Sequence, residues 1–111
     1  MAIFSVGDVV KVPFPYTDRQ TRQRRPAFVV AAGDLTTGHG LIWVLMITSA
    51  ENRPWPGDVP FDFAAAGLPS PSVVRTAKIA TLDAADAEPV GCLAAAELAD
   101  VRRLLAERLA G

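Results

Sequence analysis

This chain of 111 residues holds one cysteine, one histidine and no long apolar run, and each shortage removes a class of protein. Cys92 cannot close a disulfide within the chain, and with His39 as the sole histidine no Cys/His cluster offers the ligands of a structural zinc site. No stretch approaches the ~18 consecutive apolar residues of a membrane span, and the opening MAIFSVGDVV lacks the basic region and apolar stretch of a signal peptide. The expectation is a cytoplasmic protein in a reducing compartment, with no membrane and no metal or other cofactor. An excess of one charge is also missing. Eleven Lys+Arg against twelve Asp+Glu give a formal net charge of −1, so bulk charge cannot coat a nucleic acid and any polyanion site must be local. At this length one domain over residues 1–111 is expected, because two independent cores do not fit.

What is present is a series of short apolar runs punctuated by Pro and Gly. Val9 to Phe14 is β-branched, and Pro13, which has no N–H to give a neighbour, predicts an edge strand. Ala27 to Ala32 is continuously apolar and suits a strand buried on both sides; Leu41 to Ile47 is a second such run. Pro54, Pro56, Pro60, Pro69 and Pro71 make the region between Ser49 and Ser72 mostly connection, with room for a strand at Asp58 to Phe63 and a single turn at Ala64 to Leu68. Strand character returns from Val73 to Leu82. Leu98, Val101, Leu105 and Leu109 then recur at helical spacing and predict an amphipathic helix from about Ala94 to Ala110, although Leu93 and Ala94 bring no side-chain oxygen to cap it. Several short strands and one terminal helix imply a mainly β fold, a small, strongly bent antiparallel sheet or barrel covered by that helix.

Charge is segregated along the chain. The window Lys11 to Arg25 contains Lys11, Arg19, Arg22, Arg24 and Arg25 against Asp18 alone, a net of +4, whereas Asp83 to Asp100 carries five carboxylates and no Lys or Arg. A solvated loop would look the same, but arginine also suits phosphate, because its planar fork donates two parallel hydrogen bonds and stays charged. Arg25 differs from the others in preceding Pro26, which holds it extended at the mouth of a buried strand. Thr48 and Ser49 end the most apolar run and bring two hydroxyls to the surface; Ser70, Ser72 and Arg75 form another hydroxyl–guanidinium group. Each of these also has a plain structural reading as a strand end or turn. His39 between two glycines reads as a turn residue, Cys92 as a small buried residue and Trp43 as core, while Trp55 suits either a base-stacking surface or the cover of a core edge. Glu51, Asp58 and Asp62 match no cation-binding spacing.

Three segments together resemble the MazF/PemK-like (CcdB-related) ribonuclease toxins of type II toxin–antitoxin systems. They are Gly7-Asp8-Val9-Val10-Lys11-Val12-Pro13-Phe14-Pro15 with Arg24-Arg25-Pro26-Ala27-Phe28-Val29-Val30; Ile47-Thr48-Ser49; and Gly67 to Arg75 with Ile79-Ala80-Thr81-Leu82-Asp83. The resemblance implies an SH3-like antiparallel β-barrel with a C-terminal helix. It also implies a homodimer and an mRNA interferase, a metal-independent, sequence-specific endoribonuclease acting on single-stranded RNA and held inactive by a cognate antitoxin protein. Position by position, it implies catalytic roles for Arg25 and Thr48 and RNA-binding roles for Arg22, Arg24, Ser49, Ser72 and Arg75. Where related toxins often carry a carboxylate this chain has Ala77, which excludes a carboxylate base there. RNA brings its own nucleophile, the ribose 2′-OH, so the expected products are a 2′,3′-cyclic phosphate and a 5′-hydroxyl. Two other classes stay open from the residues: a toxin that binds a protein target without nuclease activity, as gyrase-poisoning relatives do, and a catalytically silent RNA-binding module.

Overall fold

The computed structural model describes residues 4–14, 23–32 and 40–110. Arg19, Arg22 and His39, three of the residues singled out above, lie outside that set. Within it the chain forms β1 (Asp8–Phe14), β2 (Gln23–Ala31), β3 (Leu41–Ser49), β4 (Asp58–Pro60), β5 (Ser72–Asp83), a single 3-10 turn (Ala84–Asp86), β6 (Glu88–Cys92) and α1 (Ala95–Ala110). The strands make one antiparallel sheet in the order β4-β5-β3-β2-β1-β6. This agrees with the expected mainly β class and C-terminal helix.

The apolar runs form strands because both faces of the central sheet are covered. On β2, Phe28 and Val30 join a core containing Val9, Leu45, Ile47, Val74 and Val101, while Ala27 and Val29 join a second core with Val10, Val12, Ile42 and Val44 on the opposite face. The continuous hydrophobicity of Ala27 to Ala32 thus has the predicted cause. Leu98, Val101 and Leu105 of α1 pack into the first core. Val101 is fully buried, worth about 2 kcal/mol, and the half-buried Leu98 and Leu105 add to it, so the helix is held by its stripe. Its start is capped from within: Glu97 Oε1 accepts the Ala94 N–H at 3.1 Å, which supplies the acceptor that Leu93 and Ala94 lack.

Four expectations are corrected. β1 is not an edge strand: β6 pairs with it from Asp8 to Lys11, and Pro13 falls just past that pairing, where no N–H is demanded by β6. Leu109 is 77% exposed, because the last helical turn runs beyond the core that Leu98 to Leu105 cover. Trp43 shares the face of Leu45 and Ile47 but lies beyond the reach of their core, and is exposed rather than central. Cys92, at the end of the outer strand β6, is exposed as well.

The sheet curls until its two margins meet. The turn after β4 packs on β6 so tightly that a Cβ on Gly91 would collide with the Ala66 carbonyl oxygen. Irregular pairing drives part of the curl. Between Leu45↔Ile79 and Met46↔Arg75 the register slips, so Thr76, Ala77 and Lys78 are extra residues on β5 that turn the strand through a corner.

Candidate active site

Arg25 and Thr48 arise from neighbouring strands. Val29↔Val44, Phe28↔Leu45 and Ala27↔Met46 are partners across β2 and β3, and the same register carried two residues further brings Arg25 opposite Thr48. Both line a cleft of about 470 Å³ at that end of the sheet. Lys11 of β1, Arg24, Arg25 and Pro26 of β2, and Ile47, Thr48 and Ser49 of β3 form one side; Leu68, Pro69, Ser70 and Ser72 close the other. The cleft exists because Ser49 pairs with Ser72 across β3 and β5, so the turn leading into β5 is set beside the end of β3.

The chemistry of the lining is one-sided. Three cations and four hydroxyl-bearing residues converge, and no carboxylate is among the residues that line it. Arg25 is half-buried, Thr48 is 6% exposed and Ser72 is buried. Thr48 Oγ1 accepts a hydrogen bond from Asn52 Nδ2 at 2.7 Å, and Ser72 Oγ donates to the Ser70 carbonyl at 2.9 Å. Arg24 sits at the rim and pairs with Glu88 at 3.1 Å, both side chains largely exposed. Such an arrangement can hold an anion whose charge is spread over several oxygens, with a fixed hydroxyl at its centre.

Of the seven residues the sequence marked, Arg24, Arg25, Thr48, Ser49 and Ser72 are brought together here, and Arg22 lies outside the described residues. Arg75 is not among the lining residues. Its guanidinium is buried against Asp58, with Nε to Oδ1 and NH2 to Oδ2 both at 3.2 Å, donates to the Arg53 carbonyl at 2.9 Å, and lies 4.3 Å from the centre of the Trp55 ring. Trp55 therefore stacks on Arg75, with Lys78 also near its ring at 5.2 Å. Asp58 is engaged in this pair and Asp62 accepts from the Ala65 N–H; among the described residues no three His, Cys, Asp or Glu side chains gather as metal ligands would.

Sequence reasoning passed over four contributors. Lys11 was counted only as charge, although its alternation with Val10 and Val12 and its partner Pro26 place it at the cleft. Leu68 and Pro69 carried no chemical signal at all. Asn52 had one weak signal, its position four residues beyond Thr48 in a turn whose Asn52 N–H donates to the Ser49 carbonyl at 3.1 Å.

A curled six-stranded sheet with a helix on its inner core and a cationic, hydroxyl-lined cleft at the ends of its central strands defines a small β-fold protein with a site suited to an anion. The chain belongs to the PemK-like, MazF-like toxins of type II toxin–antitoxin systems, a family matched over residues 5–109. Among solved structures it is similar to MazF in a MazE–MazF complex from Deinococcus radiodurans, at 26% identity and a TM-score of 0.75, with 98% of this chain and 97% of that one covered. MazF alone from the same organism superposes with a TM-score of 0.79 at 24% identity over 100% of both chains. A mycobacterial endoribonuclease solved in complex with its cognate antitoxin shares the fold at 16% identity and a TM-score of 0.72, covering 99% of this chain and 96% of that one. No curated protein matches the chain significantly. Among the described residues no helix is long and apolar enough to cross a membrane.

Proposed function

We propose that this toxin is a metal-independent, sequence-specific endoribonuclease that cuts single-stranded RNA in the cleft between Arg25 and Thr48. The observation that carries the reading is their meeting across β2 and β3 in a cleft lined by cations and hydroxyls. Family membership supports it, as does the mycobacterial neighbour named an endoribonuclease.

The reaction asks the protein for position and charge rather than for a nucleophile. The ribose 2′-oxygen bonds to the adjacent phosphorus, the bond to the 5′-oxygen breaks, the 2′-OH proton is lost and the departing 5′-oxygen gains one. A 2′,3′-cyclic phosphate and a 5′-hydroxyl result. Arg25 neutralises the charge that builds on the phosphorane and steers the proton transfer, rather than serving as an ordinary general base, because a guanidinium is a donor with no acceptor to offer. Thr48 donates to a nonbridging oxygen. Arg24, Ser49 and Ser72 hold flanking groups of the strand, and Arg22 is proposed to do the same. No carboxylate base is invoked, and Ala77 is exposed at the β5 corner.

The proposed partners are single-stranded RNA, a cognate antitoxin and a second copy of the chain in a homodimer, working in the cytoplasm. The antitoxin is an acidic, mostly disordered segment that folds over the cationic cleft, part of its binding energy being offset by the entropy of ordering. Co-expression with a small acidic protein encoded beside the toxin restores growth if this partner is right. The deciding assay incubates purified toxin with end-labelled single-stranded RNA in EDTA. Cleavage leaving a cyclic phosphate terminus is expected. Binding without cleavage supports a silent RNA-binding module instead, and neither supports a protein-targeting toxin.

A further inference from the structure

We propose that Asn52 positions the Thr48 hydroxyl and that Arg75 braces the loop presenting Asn52, an inference that rests on the cleft being the cleavage centre. A hydroxyl has one proton to give and two lone pairs that accept, and its O–H rotates toward whatever acceptor is near. Asn52 Nδ2, 2.7 Å from Thr48 Oγ1, offers only donors at that contact. It occupies a lone pair of the oxygen and takes no proton from it. The Thr48 O–H is left to point at another acceptor, and on the cleft side that acceptor is a phosphate oxygen of bound RNA. Thr48 is β-branched and buried, so its oxygen is fixed in place while Asn52 sets the direction of its proton.

A side chain on an exposed turn performs this task only if the turn is held. The carbonyl next to Asn52, that of Arg53, accepts from Arg75 NH2 at 2.9 Å. Arg75 is in turn locked by both oxygens of Asp58 and by the face of Trp55. Further along the loop, the Pro56 carbonyl accepts from Arg108 of α1 at 2.6 Å and the Gly57 carbonyl from Thr76 at 2.7 Å. Three loop carbonyls are thus gripped from β5 and α1. At Gly57, where φ is +89°, a Cβ would stand 2.6 Å from both Arg108 NH2 and Thr76 Oγ1, so the grip requires glycine. Arg75 acts through the loop, not on the RNA.

The test compares Asn52→Ala, the isosteric Asn52→Asp and Arg75→Lys with the unsubstituted toxin. The readouts are single-turnover cleavage at saturating enzyme and binding of the same oligonucleotide with a 2′-deoxy residue at the scissile position. Asn52→Ala is expected to slow the saturated rate at least tenfold with binding within twofold. Asn52→Asp is expected to slow it further, because a carboxylate accepts the hydroxyl proton and turns it from the phosphate. Arg75→Lys, which keeps the charge beside Asp58 but loses the fork, is expected to lower the rate and spare binding. In a Thr48→Ala background the Asn52 substitutions are expected to add nothing. If both Asn52 variants cut within twofold of the unsubstituted toxin while Thr48→Ala is slow, this inference is overturned and the cleavage reading survives. If Asn52→Ala slows Thr48→Ala by the same factor as the unsubstituted toxin, Asn52 does not act through the hydroxyl. Weaker binding with an unchanged saturated rate in Arg75→Lys makes Arg75 an RNA contact and overturns its role as a brace. A toxin that cuts no RNA overturns both proposals together.

Discussion

Arg25 and Arg75 sit on the two strands that flank β3, each near hydroxyls and each followed by strongly structured sequence, yet their surroundings differ in kind. Around Arg75 an internal carboxylate, a backbone carbonyl and an aromatic face meet the guanidinium, and the residue is 7% exposed. Arg25 is half-buried on the wall of a cleft shared with Lys11 and Arg24, where no carboxylate is among the lining residues. Arg75 is a strut held inside the fold, whereas Arg25 stands on the wall of an open cleft together with Lys11 and Arg24. Residue type does not separate the two. The surface each guanidinium faces does.

That contrast can be broken most directly at the cleft. Arg25→Ala and Thr48→Ala are expected to reduce RNA cleavage by about 10²-fold or more each, the usual loss when a preorganised donor is removed, while thermal melting barely changes. Activity within a few-fold of the unsubstituted toxin for either variant would erase the distinction. At the strut the pattern reverses. Arg75→Ala leaves the largely buried Asp58 carboxylate with only the Trp55 N–H and is expected to cost about 2–3 kcal/mol of stability, measured by denaturant unfolding; a loss below about 1 kcal/mol would deny it a structural role. Arg24→Ala tests the rim and predicts weaker RNA binding, with the slope of log affinity against log salt reduced by about 0.7, the value for one phosphate contact on a single strand. The smallest effect belongs to Glu88→Gln. The exposed Arg24–Glu88 pair is worth no more than about 1 kcal/mol, so unfolding should hardly shift, while RNA affinity rises slightly as Arg24 is released.

Much of the central sheet was legible because β2, β3 and β5 announce themselves as apolar or alternating runs, and the helix because Leu98, Val101 and Leu105 share one stripe. β6 was not, since Glu88-Pro89-Val90-Gly91-Cys92 has neither alternation nor β-branched density, and its strand form depends on the partner β1 supplies. With no partner foreseen on that side, the missing N–H of Pro13 made β1 read as an edge. At the site, Arg25 was visible through Pro26 and Thr48 through its place at the end of an apolar run. Of the opposite wall only the hydroxyls of Ser70 and Ser72 stood out, because Leu68 and Pro69 reach the cleft only through the pairing of Ser49 with Ser72. Arg75 misled for a related reason: Asp58 stands seventeen positions away and becomes its neighbour only when β4 aligns with β5.

The missing side chain at Gly91 has a mechanical meaning. The six strands make a hoop, and the hoop is fastened where the turn carrying Ala66 nests into the bare backbone of β6. A methyl group introduced there would push the Ala66 carbonyl away and part the two margins of the sheet. A toxin fastened this way should open all at once rather than fray strand by strand.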